Sequence, residues 1–188
     1  MKIALFGGSF NPVHNGHLNI ANELINQEIV DEVWLIPCGN HAFGKKLAPG
    51  KERMKMLKLA VGNKKSIKIL DLELNSKTKS YTSETVKQLK KFFQKNKFYL
   101  VLGTDNLENL GKWHDIEYLK KNIEFILINR PGFEFFNNPK IKIKNILEIK
   151  NTTSSSKIRE NIEDGISIKE LLPEKVGIYI KQERLYCG

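Results

Sequence analysis

Short apolar runs that end at glycine or proline alternate along the chain with stretches whose apolar residues recur every three or four positions. Ile3–Phe6 reads as a buried strand that stops at Gly7-Gly8. Leu18, Ala21, Leu24 and Ile25 then share one helical face, which predicts a helix from Gly16 to Glu28. Glu32–Ile36 is the next strand, ended by Pro37, and residues 38–50, with three glycines, one proline and two lysines, read as a loop. Met54, Leu57, Ala60 and Val61 mark a second helix, and Ile67–Leu74 is strand-like with partial alternation. Val86, Leu89 and Phe93 place a third helix over Thr82–Asn96. Phe98–Leu102, ending at Gly103, and Ile123–Ile128 repeat the strand pattern, followed by a short strand over Ile146–Ile149. Ser155–Glu163 and Glu174–Glu183 read as closing helices, with Pro173 suited to the first turn of the second.

Strands alternating with helices predict an α/β fold, a parallel sheet covered on both faces, with a helical C-terminal portion. Ligands of such sheets bind at the carboxyl ends of the strands. Gly7-Gly8, Pro37, Gly103-Thr104-Asp105 and Asn151-Thr152-Thr153 are the segments expected there.

Composition narrows the class. The length, 188 residues, suits one domain, and neither repeat nor linker interrupts it. The net charge of +10 suits anionic partners or a lysine-rich solvated surface. The lysines are dispersed and not interleaved with aromatics, so no nucleic-acid partner is expected. Cys38 and Cys187 are too few for a disulfide framework and read as free thiols in a reducing, cytoplasmic compartment. The apolar N-terminal run is too short for a signal peptide, and no run is long enough to span a membrane.

The candidate chemistry starts at Gly7-Gly8-Ser9-Phe10-Asn11-Pro12-Val13-His14-Asn15-Gly16-His17, between the first strand and the first helix. Glycines allow close backbone approach, and a helix N-terminus offers N–H groups and a positive dipole end to phosphate. His14 and His17, three apart, face one way and can donate to triphosphate oxygens or stabilise charge on a departing pyrophosphate. Alone, the pair could equally hold a metal or be polar helix surface. Neither a Walker loop nor a Gly-x-Gly-x-x-Gly fingerprint is present. Ser154, Ser155 and Ser156 precede an amphipathic stretch, where they either cap a helix or help face a ligand. Asp105, just past a strand end, suits ribose hydroxyls or a helix N-cap, and Trp113 suits either a ligand ring or the core.

The first segment resembles the ATP-binding element of the His-x-Gly-His nucleotidyltransferase superfamily, in wording similar to nicotinate-nucleotide adenylyltransferases. Gly103-Thr104-Asp105-Asn106-Leu107 through Lys112-Trp113-His114 resembles that family's central motif. Thr153-Ser154-Ser155-Ser156-Lys157-Ile158-Arg159, then Gly165, Leu171-Leu172-Pro173-Glu174-Lys175-Val176 and the Tyr179–Tyr186 ending, resembles its C-terminal motif. The resemblance covers the whole chain in order and implies a Rossmann-like nucleotidyltransferase domain over residues 1–188. It implies His14, His17, Lys45 and Arg159 as the catalytic set and Gly8, Ser9, Phe10, Gly16, Gly103, Asp105, Ser156 and Ile158 for ATP. It further implies Asn40, Lys46, Thr82 and Trp113 for the mononucleotide, Tyr81-Thr82 matching the family's Tyr-Thr. Mg²⁺ would accompany ATP, with no metal ligand from the protein.

One stretch departs. Where acid-using bacterial relatives carry a Pro-Pro-His-Lys-like loop, this chain has Asn40-His41-Ala42-Phe43-Gly44-Lys45-Lys46, similar to the loop of enzymes acting on the amide. The whole-chain pattern still implies AMP transfer from ATP to nicotinate mononucleotide, at least as well as to nicotinamide mononucleotide. The rivals are a sister enzyme acting on phosphopantetheine or using CTP, and a silent nucleotide sensor. Oligomeric state is left open.

Overall fold

A computed structural model describes residues 1–39, 47–75, 80–129, 140–149 and 153–187. Six strands form one sheet: β1 (Lys2–Gly8), β2 (Glu32–Pro37), β3 (Ile67–Ile69), β4 (Lys97–Gly103), β5 (Glu124–Asn129) and β6 (Ile143–Glu148). Their order is β3-β2-β1-β4-β5-β6, and every pairing is parallel. From β1 the chain winds outward through β2 and β3, then returns to the other side for β4, β5 and β6. The reversal opens a crevice at the carboxyl ends of β1 and β4, the place where such sheets bind ligands.

Alternation along the strands divides the core in two. Ala4, Phe6, Val33, Leu35, Val101, Ile126 and Ile128 face one side. They meet Leu24 of α1 (Asn15–Asn26), Leu57 of α2 (Gly50–Val61), Ile158 of α5 (Ser155–Glu163) and Val176 and Ile180 of α6 (Glu174–Gln182). Ile3, Leu5, Trp34, Ile36, Leu100, Leu102, Phe125 and Leu127 face the other side. There they meet Val86 and Leu89 of α3 (Thr82–Phe92) and Leu119 of α4 (Ile116–Asn122). The expected Rossmann-like sheet, flanked by helices and closed by a helical C-terminal portion, is what the chain forms.

Boundaries differ where local hydrogen bonds override periodicity. The expected strand over Ile67–Leu74 stops at Ile69, because Asp71 C=O accepts from the backbone N–H of Leu74 and Asn75 and turns the chain. The third helix ends at Phe92 rather than Asn96. Phe93 leaves helical geometry and sets its ring edge-on to Trp34, 5.1 Å between centroids. The last strand begins at Ile143, three residues before the expected Ile146. Seven-residue α4 was not expected, since its periodic signal is only Ile116 and Leu119. Among the described residues no helix is long and apolar enough to cross a membrane.

Candidate active site

The loop from Gly8 to His14 crosses the crevice and is strapped from several directions. The buried Arg53 of α2 donates through Nη1 to Ser9 C=O at 2.9 Å and through Nε to Ala48 C=O at 3.0 Å. Arg159 of α5 donates through Nη1 to Asn11 C=O at 2.8 Å and through Nη2 to Ser156 Oγ at 3.3 Å. Ser155 Oγ donates to Pro12 C=O at 2.9 Å, and Asn15 N–H donates to Leu171 C=O at 3.0 Å. Asn11 Oδ1 accepts from Ala48 N–H and from the Tyr186 hydroxyl, each at 2.9 Å. Burial raises the Tyr186 pKa, so its hydroxyl keeps the proton it donates.

The two histidines form the helix entry together. His14 is the N-cap of α1; its backbone N–H donates to His17 Nδ1 at 3.2 Å, and its C=O accepts from the His17 backbone N–H at 3.0 Å. The rings lie 3.7 Å apart, tilted by 32°. With Nδ1 accepting, a neutral His17 carries its proton on Nε2, which makes that edge a donor. His14 is buried, whereas His17 is half-exposed and packs against Phe10 and Phe6 at 4.9 and 5.9 Å. Phe10 is fully buried with φ 45°, in the left-handed region. Its ring covers Gly8, where a Cβ would sit 3.1 Å from it. Gly16 plays the same part for His14, whose ring would lie 3.0 Å from an added Cβ. Both glycines thus make room for side chains of the loop itself.

Across the crevice, Gly103 ends β4, and a Cβ there would collide with the Asp105 carboxylate. Asp105 is accordingly tucked back on the strand end, where Oδ1 accepts from Asn106 Nδ2 at 3.0 Å. On α5, Ser154 is the N-cap and accepts from Lys157 N–H at 3.2 Å. Ser156 and Arg159 sit one turn on, together. Ile158 is fully buried in the core, so its side chain cannot meet a nucleotide.

A second cluster lies at the start of α3, on the far side of β4 from α5. Thr82 is the first residue of this helix, after Tyr81. The Tyr81 ring stacks on His114 at 4.2 Å and 18°, and Ser83 Oγ lies 3.1 Å from His114 Nδ1. Trp113 is half-buried, resting against the second core face. Thr85 Oγ1 donates to Glu73 Oε1 at 2.8 Å, and burial raises the Glu73 pKa. Burial raises the Cys38 pKa as well, against the opposing pull of Arg53. Asn40, Lys45 and Lys46 lie outside the described residues.

The structure therefore brings His14, His17, Ser9, Phe10, Gly16, Ser156 and Arg159 into one constellation and sets Thr82 and Trp113 in another. Asn11, Ser155 and Tyr186 stood out in the sequence only as members of longer motifs, without their bonding roles, and Arg53 did not stand out at all. Arg53 sits amid Lys51, Glu52 and Lys55 and reads as solvated helix surface. The usable signal was its spacing to Met56 and Leu57, the actual buried face of α2.

A glycine turn and paired histidines at the switch point of a parallel sheet define a nucleotide-handling enzyme, and the chain belongs to the cytidylyltransferase-like family, whose profile matches residues 5–161. It is a nucleotidyltransferase. Within that class it stands with the nicotinate-nucleotide adenylyltransferases. It is 36% identical over 189 residues to a probable nicotinate-nucleotide adenylyltransferase of Bacillus licheniformis, covering 98% of each chain. A protein of the same description from Bacillus cereus is 37% identical over 187 residues, again with 98% of each chain covered. The fold matches that of Plasmodium falciparum nicotinic acid mononucleotide adenylyltransferase complexed with NaAD. The TM-score is 0.86 at 24% identity, covering 98% of this chain and 97% of that one.

Proposed function

We propose that this enzyme transfers AMP from ATP to nicotinate mononucleotide, forming the deamido form of NAD and releasing pyrophosphate in NAD biosynthesis. The observation that carries the reading is the strapped His14–His17 loop, which faces the α5 N-terminus and Arg159 across the sheet's switch point. Its full-length relatives bear the matching name. Residues 1–188 act as a single nucleotidyltransferase domain.

In this reading a 5′-phosphate oxygen of the mononucleotide attacks the α-phosphorus of ATP. The new P–O bond forms as the bond to the bridging oxygen breaks, and the electron pair leaves on pyrophosphate. The enzyme orients the two substrates and stabilises the leaving charge. His17 Nε2–H serves as a preorganised donor to the triphosphate, and buried His14 holds His17 in place. Arg159 uses two nitrogens on protein acceptors, and its remaining N–H groups serve phosphate oxygens. Gly8, Ser9, Gly103, Asp105 and Ser156 form the walls of the ATP side, with Phe10 and Ile158 supporting them from the core. Lys45 brings a further positive charge, and Asn40 and Lys46 meet the mononucleotide.

On the mononucleotide side the reading rests on Thr82 and Trp113. The first N–H groups of α3 suit a ring carboxylate, and the half-buried indole offers a face to the pyridine. Among the described residues no group of three His, Cys, Asp or Glu side chains converges to hold a metal. In this reading Mg²⁺ comes as the companion of ATP's phosphates, and no step is assigned to it.

Incubation with ATP, Mg²⁺ and a panel of mononucleotides, with products identified by mass, tests the reading. A dinucleotide and equimolar pyrophosphate from the pyridine mononucleotide support it. Product from 4′-phosphopantetheine, or from CTP in place of ATP, would move the enzyme to a sister activity.

A further inference from the structure

Three distant stretches of chain meet at Asn11, which is 2% exposed. Its C=O accepts from Arg159 of α5, and its Oδ1 accepts from Ala48 N–H, ahead of α2, and from the Tyr186 hydroxyl beyond α6. A backbone N–H can bond only the oxygen of an amide, so Ala48 fixes which way the Asn11 side chain points. Tyr186 then supplies the second donor that completes this oxygen. The tail is shaped to deliver it. Leu185 N–H returns to Ile180 C=O at 3.0 Å, and Arg184 and Tyr186 adopt φ of 50° and 64°, which residues other than glycine hold only when their surroundings impose it. The loop so fixed runs directly into His14 and His17. Hydroxyl, amide and loop lie on one continuous path from the end of the chain to the phosphate-handling histidines.

We propose that Tyr186 is a positioning residue for the transfer reaction: through Asn11 it holds the His14–His17 loop in register with the Leu47–Pro49 segment and α5. The inference rests on the adenylyltransferase reading above. Tyr186→Phe removes one hydroxyl and leaves Asn11 Oδ1 its bond from Ala48. The expected result is a kcat about tenfold lower, the order of one lost hydrogen bond, with the KM for ATP moving less than about twofold. In a double-mutant cycle, Tyr186→Phe should add almost nothing to Asn11→Ala, because the hydroxyl acts through that side chain. Asn11→Asp keeps an acceptor for both donors and should recover most of the rate that Asn11→Ala loses, without any change to the tail. Tyr179→Phe is the control. Its hydroxyl, on α6, bonds Glu52 of α2 at 2.5 Å, away from Asn11, and its removal should leave kcat unchanged. Rates are referred to folded protein, well below the melting temperatures. A wild-type kcat in Tyr186→Phe, losses that multiply across the cycle, an Asn11→Asp no better than Asn11→Ala, or an equal loss in Tyr179→Phe would each overturn the inference. Absence of turnover in the wild-type protein would instead remove the reading on which it rests.

Discussion

Single atoms decide much of this site. His17 holds its proton on Nε2 because its Nδ1 is taken by the His14 backbone, so His17→Ala removes a donor that was oriented in advance. Turnover should fall on the order of 10²–10³, with an unchanged circular dichroism spectrum. A well-folded variant that retains more than about a third of wild-type kcat would deny His17 that role. Gly16 contributes by what it lacks. Gly16→Ala places a methyl 3.0 Å from the His14 ring, which must shift, and His17 with it. The variant should lose kcat by about tenfold or more while melting within a few degrees of wild type, since alanine suits a helix better than glycine. Trp113→Ala should raise the KM for the mononucleotide about tenfold and barely alter that for ATP, since stacking is worth roughly 1–3 kcal/mol. Equal shifts for both substrates would assign Trp113 to the core alone.

At the scale of elements, the fold was far more legible than the site. Most strands and helices could be read because each carries an unbroken apolar run or a helical stripe, as in Phe98–Leu102 or Leu18–Leu24. The failures share a cause. The Asp71 turn and the release of Phe93 are each decided by hydrogen bonds or ring contacts that periodicity does not encode. The histidine pair and Arg159 were legible as local motifs. The straps were not, because Arg53, Asn11, Ser155 and Tyr186 act across 37 to 175 residues of sequence, and none of the four is chemically unusual in its own neighbourhood. Ser154 shows the element-scale cost of a cap. Ser154→Ala should destabilise the protein by about 1 kcal/mol in chemical denaturation, by freeing the Lys157 N–H. An unchanged midpoint would mean that α5 is held by packing alone.

For the whole molecule, one pH-dependent contribution comes from Glu73, partly buried beside Thr85. Burial lifts its folded pKa above the ordinary 4.5, so the neutral acid is favoured in the native state. The sign follows: this group's contribution is fully present below the unfolded value and is lost as pH rises through the higher folded one. Glu73→Gln keeps an oxygen for the Thr85 hydroxyl and never ionises. Its melting temperature relative to wild type should therefore rise between about pH 4 and pH 7. A difference that is flat or falls over that range would show that Glu73 is well solvated as a carboxylate.

Residue, element and fold meet at one requirement, that both clusters converge on one pair of substrates. The positive α3 N-terminus and the whole-chain likeness favour the acid, and the Gly44-Lys45-Lys46 loop favours the amide. The most direct test is the ratio of kcat/KM for nicotinate and nicotinamide mononucleotides, measured with ATP and Mg²⁺ under one set of conditions. The acid should be used at least as well as the amide. An amide preference above about tenfold, or roughly 1.4 kcal/mol, would contradict it.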